Sequence, residues 1–354
     1  MAATPRILTK SQRIGLLQQS KGTNHWDAAA AVSAAFEMQF YDKAGSTPEP
    51  NVTIDGYNDM NGSGGIMDEY DNVVVDSVTG LKEISFSGFA TKQTLAKHLI
   101  ACFQRVTESA TTPYAKQFKF ADDVLDWSQN EGYLHTVAFD TGIANRGILL
   151  SNALLSEYSI IIETSPQTNG AQRFVKHSGK WAGNVMSYDN NLSGTWTTPA
   201  KTLFNTATNP FETAMALTVG STALTALPFF RFEFKYTSGL AGDFAAAGGK
   251  AGNYIWKQKG QFLIDIPYRS DTAPFLSSFA AGSNARLISL HNNVAAHGDG
   301  DLYFSNTYGH LVANPDKTEG DYKGIRIEIN IERPTNAGAW GDIIQLTDSI
   351  DGAY

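Results

Sequence analysis

Four groups of side chains have residue types and spacings that could support chemistry. The first is a calcium-loop pattern, in which Asp59, Asn61 and Ser63 occupy the first, third and fifth ligand positions. The twelfth position, where the pattern requires a bidentate glutamate, is Tyr70. A glycine-rich surface loop accounts for the same residues, so the sequence leaves a calcium site in the Asp59–Tyr70 segment open.

The second group combines imidazoles and carboxylates, which are common metal ligands. His291 and His297 are followed by Asp299 and Asp301. The six-residue spacing of the histidines corresponds neither to a helical turn nor to alternation along a strand within a compact site. A solvated turn is more typical of this composition, and we predict no metal site.

The third and fourth groups could belong to an enzyme. Asp122, Asp123 and Asp126 lie beside Trp127, as an acid group and a stacking aromatic would in a glycosidase cleft. Three acids within five residues are more often a polar face, and the sequence gives them no partner carboxylate. Cys102 lies on the apolar stripe of a predicted helix, which favours a small buried hydrophobe. We therefore predict no catalytic residue, no cofactor and no enzyme.

The composition limits the classes of partner. Of 354 residues, 27 are Lys or Arg and 35 are Asp or Glu, giving a net charge of −8, which argues against a protein that grips nucleic acid by charge. Charged residues are only 18% of the chain, which indicates a surface largely covered by other molecules. The longest apolar stretch, Ala214–Phe230, is too short and too interrupted for a membrane helix, so we expect no membrane partner.

Two-residue alternation is the dominant pattern and predicts strands. It is clearest in Phe230–Tyr236 and in the isoleucine-rich segment Ile325–Ile331. Helical spacing is rarer. It predicts one firm helix over Thr91–Glu108 with Thr91 as its N-cap, and weaker helices over Trp26–Phe36 and Asp271–Gly282. The fold class is therefore mainly β with one flanking helix at about 91–108 and long loops.

The first 21 residues contain only basic charges, among them Arg6, Lys10 and Arg13. Such an arm either docks on a neighbouring subunit or folds back on its own domain, and the sequence allows both. We divide the chain into an N-terminal arm (1–22), a first β unit with the helix (23–205), a second β unit (206–345) and a C-terminal tail (346–354). The two β units share a strand–helix–strand order.

The order of several small motifs resembles the major tail tube proteins of long-tailed bacteriophages. The resemblance spans about residues 12–333. The motifs are Glu83–Phe89, Thr94–Ile100, Gly132–Thr136, Glu157–Glu163, Ser178–Val185 and Gly320–Gly324 leading into Ile325–Ile331.

This resemblance implies a β-sandwich or β-barrel tail-tube fold and a structural role in the virion. Members of the family stack as rings into a tube through which viral DNA passes into the host. The partners implied are further copies of this chain, in a hexamer or a pseudo-hexameric trimer, and other phage tail proteins, with assembly in the host cytoplasm. The sequence is compatible with one tube unit carrying insertions or with two fused units.

Subunit contacts in such a ring pair strands and remove exposed sheet edges. We expect the lumen to be polar and acidic, because a basic wall would hold DNA. The residues predicted at the oligomer interface are Arg6, Lys10, Arg13, Phe230, Phe232, Phe234, Ile325, Ile327 and Ile329.

Two other functions stay open at this point. One is the glycoside hydrolase already described. The other is a carbohydrate-binding or adhesin-type β-sandwich, which would expose several tryptophans as a platform. The candidates are Trp26, Trp127, Trp181, Trp196, Trp256 and Trp340.

Overall fold

The computed structural model shows a chain that is mainly β, with antiparallel sheets. One α-helix, α1 (Leu95–Phe103), is found among the residues described. The described residues are 13–19, 35–39, 41–44, 53–56, 73–76, 82–120, 133–140, 147–163, 174–183, 185–192, 196–204, 211–217, 231–244, 251–255, 258–267, 286–292, 300–306, 309–313, 317–319, 322–331 and 343–348.

The strands of the described residues range from residue 13 to residue 348. In order they are β1 (Arg13–Gln18), β2 (Glu37–Gln39), β3 (Tyr41–Ala44), β4 (Thr53–Gly56), β5 (Val73–Asp76), β6 (Lys82–Phe89), β7 (Arg105–Glu108), β8 (Tyr114–Lys119), β9 (His135–Asp140), β10 (Gly147–Glu163), β11 (Lys176–Gly183), β12 (Val185–Asn190), β13 (Phe211–Leu217), β14 (Arg231–Thr237), β15 (Leu240–Phe244), β16 (Ala251–Ile255), β17 (Lys259–Pro267), β18 (Arg286–Asn292), β19 (Asp301–Asn306), β20 (Gly309–Ala313), β21 (Lys317–Glu319), β22 (Tyr322–Ile331) and β23 (Ile344–Asp348).

The larger sheet contains a continuous run of strands in the order β3-β6-β11-β10-β14-β17-β22-β20, in which every neighbouring pair is antiparallel. We call this the eight-strand run. Its first half is β3, β6, β11 and β10, and its second half is β14, β17, β22 and β20. Strand β21 also pairs with β22. The long strand β10 is the only connection between the halves within the described pairings.

The N-terminal part of β10 belongs to a different group of strands. There it pairs with β9 and β12, and β9 continues to β1 and β2. The change of partners falls at Asn152, which has a φ of 53° in the left-handed region that asparagine tolerates better than most residues. The buried Gln19 holds this bend, because its side-chain amide bonds both the backbone N–H and the side-chain oxygen of Asn152 at 2.8 and 2.9 Å.

A second sheet has six strands in the order β13-β18-β19-β23-β8-β7 among the described residues. Its strand β8 carries Lys116, whose side chain is fully buried. The ammonium pairs with Asp348 on the neighbouring strand β23 and lies 3.3 Å from Glu108 on β7. A buried charge of this kind is tolerated only because carboxylates meet it from both sides.

The core lies between the eight-strand run and two covering layers. Alternation turns Phe232, Phe234 and Tyr236 of β14 inward. The ring of Phe232 lies 5.0 Å from that of Phe304 in the second sheet, between ring centroids. The helix covers the neighbouring region, and its Phe103 stacks 5.7 Å from Phe234.

The predicted helix is correct in its middle and wrong at both ends. The observed N-cap is Thr94, and Thr91 instead accepts a hydrogen bond from the backbone N–H of Thr94 at 3.2 Å. The helix ends where Gln104 takes a left-handed φ of 62°, and the following residues form the strand β7. Gln104 fixes this ending because its side-chain oxygen accepts the backbone N–H of Tyr133 at 2.6 Å.

The sheets do not follow the predicted division of the chain. The larger sheet and the six-stranded sheet each take strands from before and after residue 205, so that boundary does not separate two independently paired units. Residues 13–18 of the predicted arm form β1 in the larger sheet of their own chain. Residues 346–348 of the predicted tail belong to β23, where Leu346 is fully buried. The weaker predicted helices over 26–36 and 271–282 lie outside the described residues, apart from residues 35 and 36.

Candidate functional site

One face of the eight-strand run carries polar side chains and defines the candidate site. We call it the polar face: the side chains of β6, β11, β10, β14, β17 and β22 that alternate with the buried ones. It carries equal numbers of cations and carboxylates. The cations are Lys176, Lys180, Arg231, Lys235, Lys259 and Arg326, and the carboxylates are Glu83, Glu157, Glu163, Glu233, Asp265 and Glu328.

Most of the cations on the polar face are held in ion pairs. Lys180 on β11 lies 3.0 Å from Glu157 on β10, and Lys176 lies 3.7 Å from Glu163 on the same two strands. The hydrogen bond from Lys180 to Glu157 raises the pKa of that lysine. Cross-strand register produces the Lys180 pair, because it sets the two residues directly opposite each other.

Glu233, the carboxylate of β14, is buried and makes several polar contacts. Only 7% of the residue is exposed. It lies between Arg231 at 2.9 Å and Lys235 at 3.8 Å, and it accepts a hydrogen bond from the hydroxyl of Ser159 at 3.0 Å. One buried carboxylate therefore contacts two cations, both of which lie on its own strand at alternate positions.

Asp265 on β17 makes a similar contact with β22. Its two carboxylate oxygens accept hydrogen bonds from Arg326 at 2.8 and 3.1 Å, the bidentate geometry that a guanidinium forms best. Asp265 is 2% exposed. These hydrogen bonds raise the pKa of Arg326. The buried carboxylate of Asp265 on β17 therefore holds the side chain of Arg326 against the sheet.

A shallow cavity of about 330 Å³ opens in the first half of the polar face and reaches β14. Small residues create it, among them Ser85, Ser178 and Gly179. Gly179 is required here, because a Cβ at this position would lie 2.6 Å from the carbonyl oxygen of Glu157. The hydroxyls and ammonium groups of the cavity suit small polar or anionic groups, yet Lys180 at its rim is already paired.

A second polar cluster lies beneath α1 on the opposite, buried face. Tyr41 bonds His98 at 2.7 Å, Tyr158 bonds His177 at 3.1 Å, and the two imidazole rings are 4.8 Å apart. Burial lowers the pKa of His98 to about 4 and also lowers the pKa of His177. Burial likewise lowers the pKa of the adjacent His135 to about 3. These imidazoles are therefore neutral at neutral pH and belong to the core.

The structure corrects the predicted oligomer interface. Phe232, Phe234 and Ile329 are fully buried and Ile327 is 1% exposed, because alternation turns them toward the second sheet and α1. Side chains enclosed by their own chain cannot contact a neighbouring subunit, so we assign these four to the core. Arg6, Lys10, Phe230 and the side chain of Ile325 lie outside the described residues.

Arg13 is placed on β1 with its side chain 42% exposed. It bonds Asp140 on β9 through Nε at 3.1 Å, and its guanidinium lies 4.6 Å from the centre of the Trp196 ring. The arginine therefore stabilises its own sheet. Its predicted contact with another subunit stays a prediction.

The residues considered for catalysis or metal binding do not form a site in the described part of the chain. Asp122, Asp123 and Asp126, the Asp59–Tyr70 segment, and His297 with Asp299 all lie outside it. His291 is on β18 and Asp301 on β19, and no group of three or more His, Cys, Asp or Glu side chains that could hold a metal is found among the described residues. Cys102 is fully buried in α1, as predicted, and burial raises the pKa of its thiol.

The tryptophans that the structure describes do not form an exposed platform. Trp181 is fully buried, and Trp196 is half-buried against Phe36 with their ring centroids 5.8 Å apart. Trp26, Trp127, Trp256 and Trp340 lie outside the described residues.

Sequence reasoning identified the faces of β14 and β22 but missed the carboxylates and lysines of β10 and β11. Alternation in Lys176–Lys180 was the available signal, although one glycine and a histidine interrupt its polarity. The ion pairs depend on register between strands far apart in sequence, which no local pattern gives.

No helix among the described residues is long and apolar enough to span a membrane. Comparison with protein-family models gives no match, and comparison with curated proteins gives none either.

Proposed function

We propose that this chain is a structural subunit of a phage tail tube, in which copies of the eight-strand run join edge to edge into a closed barrel. The observation that carries the proposal is the run itself. It is a continuous antiparallel sheet with one face covered by its own core and the other face polar. A sheet of this form is suited to be a segment of a barrel wall.

The edges of the run favour closure by further copies. Strand β3 pairs with β6 and strand β20 with β22 in the described pairings, so each end of the run has one unpaired side there. Exposed edges of this kind promote association unless another strand covers them. Pairing β20 of one copy with β3 of the next would provide hydrogen-bond partners for the backbone groups at both edges.

The number of strands favours a ring of three copies. Three runs of eight strands give 3 × 8 = 24 strands, in two similar halves per copy. With strands about 4.8 Å apart and tilted by about 40°, such a barrel is roughly 48 Å wide between backbones. Side chains would reduce the bore to about 35–40 Å, which passes a DNA duplex of about 20 Å. Six copies would double the circumference.

The polar face would line this bore, because the opposite face is enclosed by α1 and the second sheet. The expectation of an acidic lining needs refinement, since cations and carboxylates on the face are equal in number. Balanced charge still supports the proposal, because the cations are mostly paired. DNA gains affinity only from cations that are free to replace its counterions.

Electron microscopy of the purified protein at rising concentration, with light scattering alongside, tests the proposal. We expect rings or tubes with threefold symmetry and a bore of about 35–40 Å. Hollow particles with sixfold symmetry and a much wider bore would contradict the three-copy closure. A monomer at every concentration would contradict the function itself and would direct attention to the carbohydrate-binding alternative.

A further inference from the structure

The cations of the polar face are distributed so that a carboxylate lies within reach of almost every one. Five of them, Lys176, Lys180, Arg231, Lys235 and Arg326, have a carboxylate oxygen within 4.0 Å. The sixth, Lys259, has no ion pair among the described residues. Equal numbers of charges do not by themselves produce this arrangement, because Glu83 and Glu328 on the same face have no ion pair in the described part of the chain.

The two carboxylates at the centre of the arrangement are buried. Glu233 is 7% exposed and Asp265 is 2% exposed, whereas their cations remain between 29% and 50% exposed in their side chains. A carboxylate buried below the surface has little access to water. Its ion pairs therefore hold the cations against the sheet. The exposed atoms of this region are therefore cationic, while the compensating charge lies beneath them.

Affinity for duplex DNA depends on how many cations can neutralise phosphates. Each one that does so contributes about 0.9 to the slope of log affinity against log salt. A cation already neutralised by a buried carboxylate displaces few counterions when a phosphate approaches. A face of paired cations is thus a weak binder of a polyanion even though it carries lysine and arginine.

We propose that Glu233 and Asp265, with Glu157 and Glu163, hold the cations of the polar face in ion pairs, so that the face contacts duplex DNA without retaining it. The inference rests on the proposed function for its biological meaning, since it describes how a tube wall would let DNA slide. The pairing itself is a property of the single chain. These four carboxylates act by positioning the cations and need no contact with DNA.

The test compares three forms of the full chain below its assembly concentration. The double variant Glu233→Gln/Asp265→Asn removes the charges of the two buried carboxylates that pair with the cations, which we call the clamp carboxylates. The matched control Glu83→Gln/Glu328→Gln removes the same amount of charge from the same face but breaks no ion pair between described residues. Fluorescence anisotropy of a short labelled duplex is measured at about 50 and 200 mM salt, the range over which counterion release is evident.

The double variant frees two or three cations, depending on whether Glu163, which lies opposite Arg231, recaptures that arginine. Between the two salt concentrations, we expect its affinity for the duplex to fall about 10- to 40-fold more than that of the parent. The parent and the control should both show the same smaller salt dependence, to which Lys259 contributes because it has no ion pair among the described residues. Equal salt dependence in all three forms would overturn the proposal, as would an equal gain in the double variant and the control.

The single variant Glu157→Gln keeps the proposal testable if the double variant does not fold. Its carboxylate is 54% exposed, so its loss leaves no buried charge, and it frees only Lys180. We expect a loss of about 3.5-fold in affinity over the same salt range. A salt dependence equal to that of the parent would contradict the clamp at this position.

Electron microscopy of the same proteins separates this proposal from the proposed function. If the double variant forms tubes but gains no affinity for DNA, the proposed role of the carboxylates is rejected and the proposed tube function is retained. If the double variant gains affinity for DNA but the protein never assembles, the proposed role of the carboxylates is supported and the proposed tube function is rejected.

Discussion

The two halves of the eight-strand run have similar polar faces but different coverings. In the first half, α1 lies over the sheet and encloses hydrogen-bonded tyrosines and histidines, including Tyr158 and His177. In the second half, the six-stranded sheet and Phe103 of α1 enclose mostly aromatic and aliphatic side chains such as Phe232 and Phe262, and the buried hydroxyl of Tyr236 accepts a hydrogen bond from Gln258 at 3.1 Å. One sheet is therefore stabilised in its first half by a core that contains buried imidazoles, and in its second half by a core that is mostly apolar.

This difference indicates how each half should fail. An apolar core loses stability when volume is removed, because the cavity left behind has no partner atoms. A core with buried neutral imidazoles loses stability when protons become available, because the unfolded chain binds them more readily. The following changes would break or sharpen this contrast.

Phe234→Ala should have the largest effect, because it empties the centre of the second half. Its ring contacts those of Phe103, Phe262 and Phe304. We expect a loss of about 3–5 kcal/mol in the free energy of unfolding, measured by urea denaturation. The control Phe234→Leu keeps much of the volume and should lose clearly less. Equal losses in the two variants would mean that the aromatic contacts do not define this core.

Acid should destabilise the first half selectively. Unfolded histidine binds a proton below about pH 6.5, whereas folded His98 stays neutral down to about pH 4, so stability falls as pH decreases through this window. His98 alone should contribute a loss of about 2 kcal/mol between pH 7 and pH 5. Urea denaturation at both pH values measures it.

His98→Gln is the informative variant for this pH dependence. It removes one proton-binding group and should reduce the loss of stability between pH 7 and pH 5 by about 2 kcal/mol. Phe234→Ala should lower stability at both pH values and leave the slope unchanged. A slope that is the same in parent and His98→Gln would assign the acid sensitivity to other groups.

The sequence determines the second half more fully than the first. Strict alternation in β14 and β22 predicted both strands, because aromatic or aliphatic residues alternate there with charged ones, but the prediction assigned the apolar faces to a subunit interface instead of the core. The first half uses Gly179, His177 and Trp181 along β11, a pattern that no simple hydrophobic period describes. The polar face was visible only as isolated charges, since its ion pairs depend on pairing between distant strands.

Gly179→Ala should reduce stability by about 1–3 kcal/mol, because the new methyl group would approach the backbone of Glu157 and the ring of Phe86. The neighbour Ser178→Ala faces the polar side and serves as the control, with an expected change within about 0.5 kcal/mol. Thermal denaturation followed by circular dichroism measures both. A tolerated Gly179→Ala would show that β10 and β11 can separate slightly without penalty.

Glu157→Gln should have the smallest effect on stability, at most about 1 kcal/mol, because its ion pair with Lys180 is exposed. Chemical denaturation at low and high salt checks it, and the difference from the parent should shrink as salt rises. A loss of several kcal/mol would show that this part of the polar face is covered, contrary to the exposure described.

The ion pair between Lys116 and Asp348 has a consequence for the time course of folding. The two residues are 232 positions apart, so β8 leaves the ribosome long before its neighbour β23. At a synthesis rate of about 5–20 residues per second, Asp348 is added roughly 10–50 seconds after Lys116. Closing a loop of this length costs roughly 5 kcal/mol in chain entropy. The six-stranded sheet therefore cannot be completed until β23 has emerged from the ribosome, which delays the fully folded subunit.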